Sequence, residues 1–446
     1  MAKEKKKVIK RLKSMYPLRA KVDETYKKSV EAMMAGKPTV WSMANWWEGD
    51  MIIKAMDLET VYPENYGTVC ASAGIAESYL DRADAAGFPT HLCGYARNCF
   101  GYTVRMIEEL NGEIPSEAPM GGMPKPILLL ASDTACDARY KWFQALGHYM
   151  DVPVWTLEMP IPGVKELFME GVHESCIHLL VRHLRDFVTF LEHLLGKNMD
   201  WDRLDDIVHY TVEANRVWHE VNELRKAKPC PMHGRDFWSA MPPSLFLMGD
   251  VKDTVRLYQD LYDEVKYNVD NHIGSIPEEK YRLLFSELPP WHSLGFFDEL
   301  AERGWNIVIE SWSYHPPIPI DLSGISDPLE RIARHTFQWE TGYYERALKD
   351  GEHLGFLACP YLVYAKDYKC DGALLHPLIT CRSASTHLHY LRDMLMRRIK
   401  VPSIIVEGDI VDLRLFDPAD ALRRAEPFEE TMEHHREVRK KEGLDW

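Results

Sequence analysis

Two stretches of this chain repeat one pattern, and that repeat constrains the fold more than any other feature. Residues 127–146 read as a short apolar strand, a polar break that contains Cys136, and an amphipathic helix. Residues 372–391 repeat the same order around Cys381. Both copies then lead into a Val-Pro pair and another apolar run. The pattern predicts two similar α/β units, each built on a parallel sheet.

Each of these two cysteines falls where a strand ends and a helix begins. Ligands bind at the carboxyl edge of open parallel sheets. We therefore expect Cys136 and Cys381 to face a cleft between the units. The loop that contains Cys93 and Cys99 would supply a third thiol. Three thiolates suit an iron–sulfur cluster with one open iron, or a zinc ion with an open position.

The order of patterns along the 446 residues divides the chain into four segments. A chain of this length suits two or three domains. The predicted fold class is α/β, with two similar Rossmann- or flavodoxin-like units, a helical N-terminal arm and a helical middle region. The segments are a helical arm (1–37), a first α/β domain (38–162), a helical insert or lid (163–270), and a second α/β domain with a helical tail (271–446).

Composition excludes several classes of protein. A hydrophobic content of 46% is ample for packed cores, so disorder is excluded. A formal charge of −15 argues against nucleic acid or an anionic membrane as a partner. Nine cysteines spread over a long chain do not form a disulfide framework. With no run of 18 apolar residues and no signal-peptide pattern, we expect a cytoplasmic protein.

The chain lacks the common nucleotide and hydrolase motifs. It has no Gly-x-Gly-x-x-Gly after a strand, no phosphate-binding loop ending in Gly-Lys-Ser/Thr, and no Gly-x-Ser-x-Gly turn. Any nucleotide chemistry therefore belongs to a partner. Cys230 and His233 have zinc-like spacing, but no second pair lies nearby, so we interpret them as loop residues.

Several motifs together resemble one family, the cluster-carrying subunits of 2-hydroxyacyl-CoA dehydratases and ATP-dependent benzoyl-CoA reductases. The resemblance runs from about residue 38 to residue 430. The motifs are His91-Leu-Cys-Gly-Tyr-Ala-Arg97, Asp133-Thr-Ala-Cys136 followed by Lys141-Trp-Phe143, Pro277-Glu-Glu-Lys-Tyr-Arg-Leu283 with Pro290-Trp291, Asp371-Gly-Ala-Leu-Leu-His-Pro-Leu-Ile-Thr-Cys381, and Glu407-Gly-Asp-Ile-Val-Asp412.

The resemblance implies a [4Fe-4S] cluster held by Cys93, Cys136 and Cys381, with the fourth iron position open. Cys99 is the rival for the first ligand, but only Cys93 has the family's Cys-x-Tyr-x-Arg setting. Cys370 is the rival for the third ligand. Because Cys370 precedes its strand, it would lie at the opposite edge of the sheet.

The resemblance also implies a function. The likeness is greater to the larger cluster-carrying subunit of benzoyl-CoA reductase, which would reduce an aromatic acyl-CoA by one-electron, Birch-like steps in anaerobic aromatic degradation. Implied partners are a second cluster-carrying subunit, ATP-hydrolysing electron-activating subunits, ferredoxin acting through them, and benzoyl-CoA or a related acyl-CoA. The alternatives are a subunit of a radical 2-hydroxyacyl-CoA dehydratase, or a non-catalytic electron-relay or scaffold subunit.

Further candidates lie near predicted strand ends. The resemblance suggests Ser42 and Glu48 as substrate contacts. Several tryptophans would line an aromatic-acyl pocket, although most aromatic residues are ordinary core residues. Three polar residues also lie near strand ends, where capping and solvated carboxylates are equally good interpretations. The tryptophans are Trp41, Trp46, Trp47 and Trp291, and the polar residues are Asp133, Glu158 and His376.

Overall fold

The computed structural model describes residues 9–44, 47–133, 136, 138–163, 166–310, 314–349, 358–444 and 446. Within these residues the strands form two four-stranded parallel sheets surrounded by helices, which confirms the predicted α/β class.

The first sheet has the strand order β2-β1-β3-β4, and all its pairs are parallel. The strand β3 is apolar and buried along its whole length, as expected for a central strand that helices cover on both faces. The strands are β1 (Thr39–Ser42), β2 (Glu59–Val61), β3 (Leu128–Ser132) and β4 (Val154–Leu157).

The second sheet has the order β6-β5-β7-β8, which repeats the strand order of the first. Its pairs are also parallel. The two units are therefore topologically equivalent, as the duplicated sequence pattern predicted. The strands are β5 (Tyr281–Phe285), β6 (Trp305–Ile309), β7 (Gly372–Leu375) and β8 (Ser403–Ile405).

The N-terminal arm and the first unit contain the first helices of the described chain. Gly74 separates α3 from α4, because its φ of +74° ends a right-handed helix. The helices are α1 (Met15–Met34), α2 (Glu48–Ala55), α3 (Pro63–Ser72), α4 (Ala76–Ala85), α5 (Gly94–Val104) and α6 (Ala138–Met150).

The middle region is helical in its described part, as its periodicity predicted. Asp200 and Asp250 cap two of its long helices, and each side chain accepts backbone N–H donors of the first turn. The helices are α7 (Val172–Leu195), α8 (Trp201–Leu224), α9 (Gly234–Ala240), α10 (Pro242–Leu245) and α11 (Val251–Asp270).

The second unit carries the remaining helices. Gly304, with a φ of +84°, follows the first of them and leads the chain into β6, as the sequence predicted. None of the described helices is long and apolar enough to cross a membrane. The helices are α12 (Gly295–Glu302), α13 (Pro328–Lys349), α14 (Cys359–Asp367), α15 (Arg382–Thr386), α16 (Leu388–Ile399), α17 (Pro418–Ala425) and α18 (Phe428–Glu442).

Candidate active site

A mostly apolar cavity of about 430 Å³ lies where the carboxyl ends of the two sheets meet. The loops that follow β1, β2, β3 and β5 form its walls, together with α9, α10 and α13. Its described lining residues include Ala44, Glu64, Thr68, Cys93, Tyr95, Cys136, Arg139, Trp142, Trp238, Leu245, Phe246, Glu287, Leu288, Trp291, Tyr314, Glu340, Cys381 and His387.

Three cysteines from distant parts of the sequence line this cavity. Cys93 precedes α5, Cys136 lies between β3 and α6, and Cys381 precedes α15. Each is partly exposed, whereas five of the other six cysteines are buried. The Sγ of Cys381 also accepts a hydrogen bond of 3.5 Å from the N–H of Ala384. The fold thus presents one thiol from β3, one from β7 and one from α5 to a common space.

The electrostatics of the three thiols are coupled. Burial raises the pKa of Cys93 well above its ordinary value, and the neighbouring Cys381 and Cys136 raise it further. Burial also raises the pKa of Cys136, and raises that of Cys381 to about 12. The bare thiols are therefore protonated at neutral pH. An electropositive metal group would have to displace three protons to bind them as thiolates.

The rival cysteines lie elsewhere. Cys99 is fully buried, and burial raises the pKa of its thiol. Cys370 is also fully buried and precedes β7, beside Arg282 and Asp371. Neither is among the described residues that line the cavity.

Cys230 and His233 make separate local contacts. The Cys230 thiol donates to the carbonyl of Met232, and His233 Nδ1 accepts from the N–H of Arg235. They remain loop residues, as the sequence suggested.

The donor set consists of three cysteine thiols that line one cavity. Within the described ranges, no three His, Cys, Asp or Glu side chains lie close enough together to hold one metal ion. Cysteine thiolates are the usual ligands of iron–sulfur clusters. The residues present therefore fit a [4Fe-4S] cluster with one iron free of protein ligands.

A short hydrogen-bonded chain holds the Cys93 loop against the Cys381 loop. The N–H of Gly94 donates to Thr380 Oγ1 at 3.2 Å, and the Thr380 hydroxyl donates to Asp409 Oδ2. Asp409 Oδ1 accepts the N–H groups of Val411 and Asp412 at 2.9 Å each. A Cβ at position 94 would lie 2.7 Å from Asp409 Oδ1, so the close approach requires glycine.

Arg97 strengthens this junction between the units. The residue is 1% exposed. It binds both carboxylate oxygens of Asp84 at 2.8 Å and reaches Asp412 Oδ2 at 3.3 Å. Two motifs of the family resemblance, the one ending at Arg97 and the one ending at Asp412, therefore meet in space and fix the position of Cys93.

Two ionic pairs occupy the polar part of the wall. Arg139 Nε lies 3.2 Å from Glu64 Oε1, and Arg139 also donates to the carbonyl of Ala44. On the opposite side, His387 Nε2 lies 3.1 Å from Glu287 Oε1, which also accepts the Tyr361 hydroxyl at 3.0 Å. Although burial opposes it, Glu287 raises the pKa of His387. Each cation of the wall thus has a carboxylate beside it.

Glu340 is the third carboxyl group of the wall and has a different environment. It lies on α13, is 4% exposed, and has no hydrogen-bond or ion-pair partner among the described residues. Burial and the nearby Asp133 raise its pKa to about 8. Glu340 is therefore largely protonated at neutral pH, so that it can donate a hydrogen bond into the cavity.

Aromatic residues surround these polar groups. Trp291 Nε1 donates to the hydroxyl of Tyr95 at 2.5 Å, and that hydroxyl lies 3.2 Å from Thr68 Oγ1. Trp238 packs edge-to-face against Trp291, with ring centroids 6.4 Å apart. The result is a rigid aromatic surface with hydroxyl groups in fixed positions.

Ser42 and Glu48 are not among the described residues that line the cavity. Ser42 is buried at the end of β1, and its hydroxyl donates to the carbonyl of Met43 at 3.0 Å. Glu48 is fully buried at the start of α2, and in the described part of the chain both of its carboxylate oxygens lack hydrogen-bond partners. Burial and Asp133 raise the pKa of Glu48 well above its ordinary value. The substrate-contact assignments for Ser42 and Glu48 stay predictions.

Of the predicted aromatic pocket residues, Trp291 lines the cavity. Trp41 and Trp47 are core residues whose indole N–H groups bind the carbonyls of Pro124 and Ser244. Trp46 lies outside the described residues. The large aromatic surface is instead supplied by Trp142 and Trp238.

The three polar strand-end candidates have local roles or face solvent. Asp133 Oδ1 accepts the N–H of Met159 at 3.0 Å. The buried His376 pairs through Nδ1 with the carbonyl of Val406 at 2.6 Å. Glu158 is exposed. None of them lines the cavity within the described residues.

The sequence did not single out Glu64, Glu287, Glu340 or His387. The sequence does contain a clue to the position of Glu64. Pro63 and Glu64 follow the end of β2 by two and three residues, so they lie at the carboxyl edge of the first sheet. Glu287 has a φ of +64°, an unusual conformation that the sequence alone does not indicate. Glu340 reaches the cavity from α13 and His387 from the junction of α15 and α16, and no local pattern marks them.

Comparison with known proteins agrees with this architecture. The family model described as "2-hydroxyglutaryl-CoA dehydratase, D-component" matches residues 50–432. The chain is 23% identical to the (R)-2-hydroxyisocaproyl-CoA dehydratase alpha subunit of Clostridioides difficile, over 94% of this chain and 96% of the relative. It is 24% identical to the (R)-phenyllactyl-CoA dehydratase alpha subunit of Clostridium sporogenes, over 96% and 98%. It is 26% identical to a benzoyl-CoA reductase subunit of Thauera aromatica, over 79% of each.

Two parallel α/β units that share a thiol-lined cavity define an enzyme subunit of the acyl-CoA dehydratase and reductase class. Because the match covers most of its length, the chain belongs to the 2-hydroxyglutaryl-CoA dehydratase D-component family. The relatives named above are subunits of larger enzymes.

Proposed function

We propose that this chain is a subunit of a radical 2-hydroxyacyl-CoA dehydratase and holds a [4Fe-4S] cluster through Cys93, Cys136 and Cys381. The observation that carries the proposal is the convergence of three partly exposed thiols, drawn from both units, on one apolar cavity. The reaction would break the C2–O bond of a 2-hydroxyacyl-CoA and remove a proton from C3. The products would be a 2-enoyl-CoA and water.

A cluster bound at these thiols would supply one-electron chemistry and a Lewis-acidic iron. The chain itself would supply orientation and proton handling. Glu340, protonated near neutral pH, would donate a hydrogen bond to a substrate oxygen, and Glu64 lies on the same wall as a proton acceptor. The aromatic wall would exclude water from reactive intermediates.

The electrons would come from partner proteins. Because the sequence lacks a nucleotide-binding motif, the ATP-driven step is proposed to lie in electron-activating subunits that receive electrons from ferredoxin. A second cluster-carrying subunit of the same family would complete the enzyme. A heteromeric assembly is supported by the relatives, since two are alpha subunits of dehydratases and one is a subunit of a reductase.

Reduction of benzoyl-CoA or a related aromatic acyl-CoA is the second candidate. It is favoured by the similarity to the benzoyl-CoA reductase subunit of Thauera aromatica and by the tryptophan-rich cavity. The dehydratase function has stronger support because the two dehydratase subunits are matched over nearly their whole length.

Metal and product analysis tests the proposal. The anaerobically purified and reconstituted chain should contain about four irons and four acid-labile sulfides, with an electron paramagnetic resonance signal after reduction. With its partners, it should convert a 2-hydroxyacyl-CoA to an enoyl-CoA. A cyclic dienoyl-CoA from benzoyl-CoA would establish the reductase instead. Zinc or no metal after reconstitution would refute both functions.

A further inference from the structure

We infer that the cavity selects a CoA thioester whose acyl group is uncharged and apolar, and discriminates against one whose acyl chain ends in a carboxylate. This inference rests on the proposed function and narrows its substrate class. It also separates this chain from the dicarboxylic substrate that the description of its family names.

The first observation is the apolar wall. Six large side chains from four separate parts of the fold face the cavity, and they would contact an acyl group on several sides. Contact with hydrocarbon favours an apolar ligand in proportion to the area removed from water. The six residues are Trp142, Trp238, Leu245, Phe246, Leu288 and Trp291.

The second observation is the charge of the wall. Among its described residues the cationic side chains are Arg139 and His387, and each already lies beside a carboxylate. Glu64 pairs with Arg139, and Glu287 pairs with His387. Both cations of the described wall are therefore already paired with a carboxylate of the protein, and neither is available to a carboxylate of the ligand. A carboxylate taken out of water without a partner is strongly disfavoured.

The third observation is Glu340. As an unpaired carboxyl group it can donate a hydrogen bond to a neutral hydroxyl or carbonyl oxygen of a substrate. Beside an anionic acyl terminus, an ionised Glu340 would add like-charge repulsion, whereas a protonated Glu340 could donate a single hydrogen bond and supplies no positive charge. The discrimination against a carboxylate therefore rests on the apolar side chains and on the two cations that are already paired.

Two matched ligands test the inference on the full-length, cluster-reconstituted chain. The acyl groups of glutaryl-CoA and 5-methylhexanoyl-CoA have the same number of non-hydrogen atoms, and they differ in that one ends in a carboxylate and the other in an isopropyl group of similar size. Isothermal titration calorimetry should show that 5-methylhexanoyl-CoA binds at least tenfold more tightly. Equal or tighter binding of glutaryl-CoA would overturn the inference while leaving the proposed function intact. If neither thioester binds more tightly than CoA itself, the proposed function fails as well.

A pair of surface variants locates the discrimination. Ile161 lines the cavity and is 42% exposed, so Ile161→Lys should fold and place a cation at the rim. It should lower the preference for 5-methylhexanoyl-CoA over glutaryl-CoA at least threefold. Ile379→Lys is the control, because Ile379 is 57% exposed and lies outside the described lining. An equal preference in both variants would overturn the assignment of selectivity to this cavity.

Discussion

The N–H of Gly94 donates a hydrogen bond of 3.2 Å to the hydroxyl of Thr380, a residue 286 positions away in the sequence. Each partner adjoins a cavity cysteine, Cys93 in one unit and Cys381 in the other. This hydrogen bond from a backbone N–H to a side-chain hydroxyl therefore ties the loops of the two thiols together at the junction of the units. Small changes at this junction should affect the site more than changes elsewhere on the surface.

Gly94→Ala tests the closeness of that junction. The new Cβ would lie 2.7 Å from Asp409 Oδ1 and 3.1 Å from Val411 Cβ, so the loop must move. We expect a loss of about 1–3 kcal/mol in the free energy of unfolding, measured by chemical denaturation. Gly295→Ala is the control, since a Cβ there meets no atom within 4 Å. Equal stability of the two variants would contradict the proposed close packing.

Replacing single cysteines tests the ligand set. Cys136→Ser and Cys381→Ser should each reduce iron and acid-labile sulfide per chain by more than half, because each removes one of three thiolates. Cys99→Ser and Cys370→Ser change buried thiols outside the described cavity wall and should retain the metal. The measurement is iron and sulfide content after anaerobic reconstitution. Full retention in Cys381→Ser would remove it from the ligand set.

The carboxylate of Asp412 makes a pH-dependent contribution to stability. Burial opposes ionisation, but hydrogen bonds from Arg414 and Arg97 outweigh it and lower the pKa of Asp412. Its contribution is therefore complete above the ordinary aspartate pKa and is lost as the pH falls through the lowered value. At pH 7, Asp412→Asn should cost about 3 kcal/mol, because it weakens a buried ion pair.

Denaturation curves at pH 7 and at pH 3 would measure this effect. The difference between wild type and Asp412→Asn should shrink at the lower pH. Asp420→Asn serves as the comparison, since Asp420 lies at the surface and pairs there with Arg423. A difference that stays constant with pH would mean that the ionised Asp412 does not stabilise the junction.

Glu340 should destabilise the fold as the pH rises. Its pKa is raised from 4.5 to about 8 by burial and by Asp133, so between these values the unfolded chain releases a proton that the folded chain retains. The free energy of unfolding should therefore fall with pH in this window, by up to about 1.4 kcal/mol per unit.

Glu340→Gln should abolish this part of the decline, and denaturation between pH 5 and pH 8 would show it. Glu345→Gln is the matched control, because Glu345 lies on the same helix outside the described cavity wall. If Glu340→Gln and wild type have parallel profiles, Glu340 is ionised in the folded protein at neutral pH.

Local sequence patterns were sufficient to predict the two parallel sheets and the positions of two of the three cavity thiols. Cys136 and Cys381 follow short apolar runs that are typical of central parallel strands, so their position at the carboxyl edges was predictable. Cys93 required the family resemblance, because it precedes a helix without following a strand. Its place in the cavity depends on the Gly94 and Arg97 contacts, which join distant parts of the chain.

The chemistry of the cavity wall was less predictable. Whether Glu340 is protonated depends on how deeply α13 packs, and no sequence pattern carries that information. The pairing of Glu287 with His387 likewise depends on contacts between residues a hundred positions apart. Glu48 is fully buried at the start of α2, and its assignment as a substrate contact stays a prediction.

The 286-residue separation of Gly94 and Thr380 also has a consequence for biosynthesis. At roughly 5–20 residues per second, the ribosome needs about 15–60 s to extend the chain from Gly94 to Thr380. During that interval Cys93 and Cys136 have emerged without the segment that completes their enclosure. A cluster bound as proposed could therefore be enclosed by all three thiols only after Cys381 has been synthesised, late in the production of the chain.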